Sequence, residues 1–144
     1  MLEELDRANL FLVPLDQERV WYRYHHLFAE LLRHRLRQGR PAAEIGELHG
    51  RAGRWLEENG DPEAAMRHFL VCGNLDEAMG LFYRWHEVIV TGGGLGTVLG
   101  WAEKLPGKEV HRSAEASVAL GSVYAMAGRP KDAERHLVLC RIGS

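Results

Sequence analysis

Cysteine is scarce in this sequence: Cys72 and Cys140 are the two it holds. They stand far apart and in no metal-ligand spacing, and so few do not make a disulfide framework, so a reducing cytosol is the expected compartment. No stretch approaches the ~20 apolar residues that a membrane-spanning helix needs. The start, Met1-Leu-Glu-Glu-Leu-Asp6, lacks the basic and apolar segments of a secretory signal. An excess of charge is lacking too: the formal net charge is −2, which gives no global attraction to nucleic acid or to an anionic membrane. There is no Gly-x-x-x-x-Gly-Lys-Ser/Thr run, and hence no phosphate cradle. The sequence therefore reads as cytoplasmic and free of membrane contact.

What is present is enough to fold. With 144 residues, 46% of them apolar, the chain can bury a core as one domain, or as a small module fused to a short repeat array. The expected fold class is mainly α. Residues 2–9 predict a short helix. Phe11–Leu15 and Val20–Tyr24, separated by the polar Asp16–Arg19, predict a β-hairpin with Pro14 on an edge strand. Such a hairpin needs a helix to pack on, and one follows over 25–38, with Leu27, Phe28, Leu31, Leu32 and Leu36 in a single stripe. Gly39 and Pro41 end it. Helix, hairpin and helix in this order resemble part of a winged helix, expected over 1–40.

From residue 41 to 144 the texture is helical throughout. Ala43–Asn59 places Ile45, Leu48, Ala52, Trp55 and Leu56 on one face. Gly60 stops that helix, and Asp61 with Pro62 opens the next, which runs to Cys72. Asn74 and Glu77 have capping-box spacing. The helix they start carries Ala78, Leu81, Phe82, Trp85, Val88 and Ile89. Gly92–Gly96 follows a helix rather than a strand and lacks Lys, so it reads as a turn and not a phosphate loop. A shorter helix, Leu95–Leu105, carries the stripe Leu95, Val98, Ala102 and Leu105. Two more helices lie either side of Gly128-Arg129-Pro130. The last is still in progress at residue 144, from which a longer parent chain is expected.

Two of these helical hairpins share a register. Gly53, Ala65 and Phe69 recur as Gly121, Ala133 and Leu137, an offset of 68, or twice the 34-residue tetratricopeptide period. Gly121 and Ala133 are small where two helices would cross, and Tyr124 and Leu137 would fill the space beside the crossing. A shift of 34 from the first hairpin lands instead on Glu87, Leu99 and Glu103. The array is thus read as a degenerate tetratricopeptide-like superhelix of about three hairpins. The concave face of such an array would bind a peptide or a small effector.

Several residues invite chemical readings. Arg19, Arg23, Arg33, Arg35, Arg37 and Arg40 stand against one acid, Glu30, over 19–40. Arg33, Arg35, Arg37 and Arg40 form the candidate basic face. It is expected to dock on protein, and direct DNA contact is disfavoured because no Asn or Gln cluster accompanies it. His25, His26, His34 and His49 lack a neighbouring ligand at metal spacing, and His25 is read as buried and hydrogen-bonded at the strand–helix junction. His68 and Cys72 share a helix face but do not make a site. Trp21, Trp55 and Trp85 read as core or inter-repeat packing. Trp101 lies off its helix's apolar stripe, and Tyr83, Arg84 and His86 lie partly off theirs, so these four are candidates for a groove that takes an effector or partner. Neither Ser113 nor Ser117 has a nucleophile's context, and the acid pairs Glu57-Glu58 and Asp76-Glu77 sit at helix ends. No enzyme, no metal and no cofactor is expected in this segment.

The run Leu5-x-x-Ala8-Asn9-Leu10-Phe11-Leu12-Val13-Pro14-Leu15-Asp16 precedes Trp21-Tyr22-Arg23-Tyr24-His25-His26-Leu27-Phe28-Ala29-Glu30-Leu31-Leu32. Together they resemble the stretch after the ATPase module in large ATP-dependent LuxR-type, MalT-like transcriptional regulators. Leu48-His49-x-x-Ala52-x-x-Trp55-x-x-x-x-Gly60 continues the resemblance. It implies a signal-sensing segment whose partners are the ATPase module and the DNA-binding helix-turn-helix of a parent regulator, or another protein, with a small-molecule inducer as effector. Neither the phosphate loop nor a terminal DNA-binding helix-turn-helix is visible here. The competing reading is a free-standing tetratricopeptide-like adaptor.

Overall fold

A computed structural model describes residues 12–18, 20–105 and 114–142, with side chains to residue 138. The described elements are β1 (Leu12–Pro14), β2 (Tyr22–Tyr24), α1 (His26–Gly39), α2 (Ala42–Glu58), α3 (Pro62–Val71), α4 (Leu75–Thr91), α5 (Leu95–Lys104), α6 (Ala114–Met126) and α7 (Pro130–Ile142). The chain is mainly helical, with one short hairpin leading into a series of helices. It divides into two units, Met1–Ile45 and Gly46–Ser144. The helix expected over 2–9 lies outside the described residues.

In the first unit β1 and β2 pair antiparallel, Leu12 opposite Tyr24, Val13 opposite Arg23 and Pro14 opposite Tyr22. The turn is held by Asp16, whose Oδ1 accepts from the backbone N–H groups of Val20 and Trp21 at 3.0 and 3.2 Å. Leu15 N–H also donates to the Trp21 carbonyl at 2.8 Å, and the described strands are each three residues long. The ring of Tyr24 meets Phe28 of α1 edge-on at 5.5 Å. The leucine stripe of α1 is otherwise open: Leu27 is 62% exposed and Leu31 49%. Among the described residues, this aromatic contact joins hairpin and helix. His25 is exposed rather than buried, beside the His26 ring. Trp21 is 49% exposed, not core.

In the second unit each helix from α3 onward packs on the next, α3 also meets α5, as α4 meets α6, and α2 meets α3 through Gly53 with Phe69 and His49 with His68. Glycines at positive φ close the turns, Gly60 and Gly128 among them. Asp61 Oδ1 accepts from Ala64 N–H at 2.9 Å with Pro62 in the first turn. Asn74 Oδ1 accepts from Glu77 N–H at 3.4 Å, while the Glu77 carboxylate pairs with Arg54 of α2. The core runs through Ala65, Met66, Phe69, Leu81, Phe82, Val98, Trp101, Leu120 and Val123.

Small residues set the helix spacing at both ends of the series. A methyl group on Gly53 would lie 2.5 Å from Phe69 Cε1, and Ala65 and Phe69 are fully buried. A methyl on Gly121 would lie 3.0 Å from Leu137 Cγ and 3.5 Å from the Ala133 carbonyl. The same three positions, 68 residues apart, therefore do the same job. Because α2 closes on α3 through glycine, its inward face carries Gly50 and Gly53, and Leu48 and Trp55, on the opposite face, stand 41% and 49% exposed. The stripe predicted through Leu48 and Trp55 is corrected accordingly.

Candidate functional site

The four predicted groove residues do not come together. Trp101 is 6% exposed and belongs to the core. Its helix, α5, is covered by α4 and α6 and touches α3, so the buried arc is wider than the aliphatic stripe from which Trp101 was excluded. Arg84 is also removed from the groove. Its Nε and Nη2 donate to the two oxygens of Glu57 on α2, at 2.7 and 2.9 Å, and Trp85 Nε1 donates to the same carboxylate at 3.0 Å. The Arg84 hydrogen bonds, aided by that from Trp85, hold the Glu57 carboxyl below the usual carboxylate range against the opposing effect of burial. This fork clamps α4 to α2. Val88, predicted to be core, is 59% exposed, whereas His86, across the helix from it, is buried.

Tyr83 and His86 remain, and they face a cleft between α4 and α6 of about 700 Å³. Glu87 completes the α4 wall. Glu115, Val118 and Ser122 form the α6 wall, with Ala114 and Ala119 between them. Each wall follows from helix geometry: 83, 86 and 87 are spaced i, i+3, i+4, and 115, 118, 119 and 122 are spaced i, i+3, i+4, i+7. That periodicity is visible in the sequence, but the faces mix apolar, acidic and hydroxyl side chains, so hydrophobicity alone passes over Glu87, Glu115, Val118 and Ser122.

His86 is the most constrained group of the cleft. It is 9% exposed, its ring stacks on Phe82 at 5.3 Å, and its Nδ1 lies 3.1 Å from the carbonyl oxygens of both Phe82 and Tyr83. Carbonyl oxygens only accept, so in the neutral ring Nδ1 carries the hydrogen and Nε2 is left as an acceptor.

A second histidine site was not anticipated. His49 on α2 and His68 on α3 bring their Nδ1 atoms to 2.9 Å, although 19 positions separate them. Burial, then the neighbouring His49 and Arg67, pushes the His68 imidazole below its ordinary value. Cys72, one turn on, directs its thiol to the Phe69 carbonyl. Among the described residues no group of three or more His, Cys, Asp or Glu is placed to hold a metal ion.

The candidate basic face does not form one surface. On α1, Arg33 and Arg37 lie one turn apart, Arg35 points to the opposite side among the leucines, and Arg40 lies past the helix end, where it pairs with Glu44 at 3.0 Å. All four are exposed. The packing residues Gly53, Ala65, Phe69, Gly121, Tyr124 and Ala133 are buried, whereas Leu137 is 43% exposed. Tyr124 stacks on His136 at 5.2 Å, and the Arg129 guanidinium lies over the Tyr124 ring at 5.0 Å.

Residues 1–44 match the MalT winged helix domain. The match ends one residue before the boundary between the two units. It supports a segment of a MalT-like regulator. Curated relatives extend the similarity through the helices. The chain is 32% identical over 133 residues to the serine/threonine-protein kinase PknK of two Mycobacterium tuberculosis strains and of Mycobacterium bovis. The aligned stretch covers 92% of this chain but 12% of each kinase. No solved structure matches the chain significantly. Among the described residues no helix is long and apolar enough to cross a membrane.

Proposed function

We propose that this chain is a signal-sensing and protein-interaction segment of a LuxR-type, MalT-like regulator, in which a tetratricopeptide-like helical array couples an effector or partner to the output of the parent polypeptide. The cleft between α4 and α6 carries this reading: it has the size of a ligand site, an apolar floor and a few convergent polar groups. It lies between the first helices of successive hairpins, the position from which stacked hairpins present a binding surface. The winged-helix match supports a regulatory parent. The similarity to a small fraction of a protein kinase favours a module that serves different outputs. The mechanism is a shift of population: a ligand that binds one arrangement of the array better than another biases the parent toward it.

The test is to fill the cleft. Val118→Trp, at a position 50% exposed, blocks the site without touching the core. In a parent regulator assayed with a promoter reporter, it should abolish the response to the inducing condition while leaving folding unchanged by circular dichroism. An undiminished response would remove the cleft from the signal path.

A further inference from the structure

The cleft between α4 and α6 has a chemical bias that narrows its ligand. Apart from the Tyr83 hydroxyl, which can donate or accept, its described polar side chains are acceptors. Glu87 and Glu115 contribute carboxylates, one on each wall. Ser122 spends its hydroxyl hydrogen on the Ala119 carbonyl at 2.7 Å, so its oxygen can only accept from a ligand. His86 Nε2 is an acceptor by the tautomer argument, on a side chain nine-tenths buried, and has no hydrogen-bond partner among the described residues. The described lining includes no lysine or arginine, and the adjacent Arg84 is turned away to Glu57. Tyr83, 50% exposed, offers a ring face, which attracts cations.

We propose that this cleft is a receptor for an ammonium or guanidinium group, carried either by a lysine or arginine side chain of a peptide partner or by a small amine. Acceptors on both walls of a cleft, with His86 buried at its base among exposed carboxylates, repel an anion; a cation with several N–H donors satisfies them at once. Val118, Ala114 and Ala119 then cover the methylene stem. Glu115 stands in the first turn of α6 and also offsets that helix's dipole, so Glu87 contributes more of the preference. The proposal rests on the reading of the cleft as the sensing site.

The experiment is calorimetric titration of the 144-residue chain with an acetylated, amidated Gly-Arg-Gly peptide, its citrulline counterpart, its glutamate counterpart, and agmatine. The arginine peptide should bind at least about tenfold more tightly than the citrulline peptide, a difference of about 1.4 kcal/mol, and the glutamate peptide should not bind. Glu87→Gln should erase most of that preference and Glu115→Gln less of it, and the nitrogen-15 signal of His86 Nε2 should move on binding. Agmatine matching the peptide identifies a small amine as the source, and a stronger peptide identifies a protein partner; both support the cation site. Equal binding of arginine and citrulline peptides, or no binding to a chain that is folded by circular dichroism, overturns it. If Val118→Trp still abolishes the reporter response in that case, the cleft stands as the sensor and only the ligand class falls.

Discussion

The ring of Phe69 lies against the backbone of Gly53, close enough that an added Cβ would sit 2.5, 2.8 and 2.9 Å from three of its carbons. Phe69 is fully buried and cannot swing away. Gly53→Ala should therefore destabilise the fold by about 1–2 kcal/mol, the cost of overpacking less the ~1 kcal/mol that alanine gains in a helix. Urea denaturation measures this. Phe69→Leu in the Gly53→Ala background should recover part of the loss, and an additive double-mutant cycle would show that the two sites are not in contact.

The repeat-related position should behave differently. A Cβ on Gly121 meets Leu137 at 3.0 and 3.2 Å, but Leu137 is 43% exposed and can tilt outward. Gly121→Ala should change stability by less than about 0.5 kcal/mol, relief and helix propensity offsetting the contact. A loss as large as that of Gly53→Ala would mean that the α6–α7 crossing is as rigid as the α2–α3 one.

Both crossings show what the order of residues makes legible. The small–small–large register at an offset of 68 can be read without coordinates, as can the caps at Asp61 and Asn74 and the turn glycines, because each is a local rule of backbone geometry. Trp101, Leu48 and Trp55 stand elsewhere than their apolar stripes predict, for reasons of packing. A helix in contact with several neighbours buries a wider arc than its apolar stripe, and a helix that approaches its neighbour through glycine, as α2 does, leaves large side chains on its opposite face.

Glu57 ties three side chains together, and its carboxyl is held low chiefly by the hydrogen bonds from Arg84. A folded-state value below the unfolded one means that the contribution is complete above the ordinary carboxylate range, about pH 4.3, and is lost as the pH falls through the folded value. Glu57→Gln should cost about 1 kcal/mol at pH 7, a modest figure because Arg84 is half exposed to solvent. Denaturation at pH 7 and pH 3 should show the difference between the two proteins shrinking at the lower pH. A gap that is independent of pH would assign the effect to packing alone.

The His49–His68 pair should make stability depend on pH near neutrality. Burial lowers the His68 value in the fold, so the unfolded chain binds protons first. The stability that His68 contributes is complete above its unfolded value of about 6.5 and is lost as the pH falls through the folded value. His68→Asn keeps a polar atom near the position of Nδ1 but does not titrate, and should flatten the stability profile between pH 8 and pH 5. An unchanged slope would place the proton uptake elsewhere.

By itself, the order of residues determined the mainly helical class, the hairpin followed by helices, the breaks between helices and the repeat-related crossing positions, since all of these obey periodicities of 3.6 or 2 residues and the fixed needs of caps and turns. The tertiary structure alone decided that Arg84 leaves the groove for Glu57, that His49 meets His68, and that Glu87 faces Glu115 across the α4–α6 cleft. Those pairings join residues 19 to 28 positions apart, and which partner a polar side chain finds depends on how closely two helices approach, a distance set by buried residues that carry none of the chemistry.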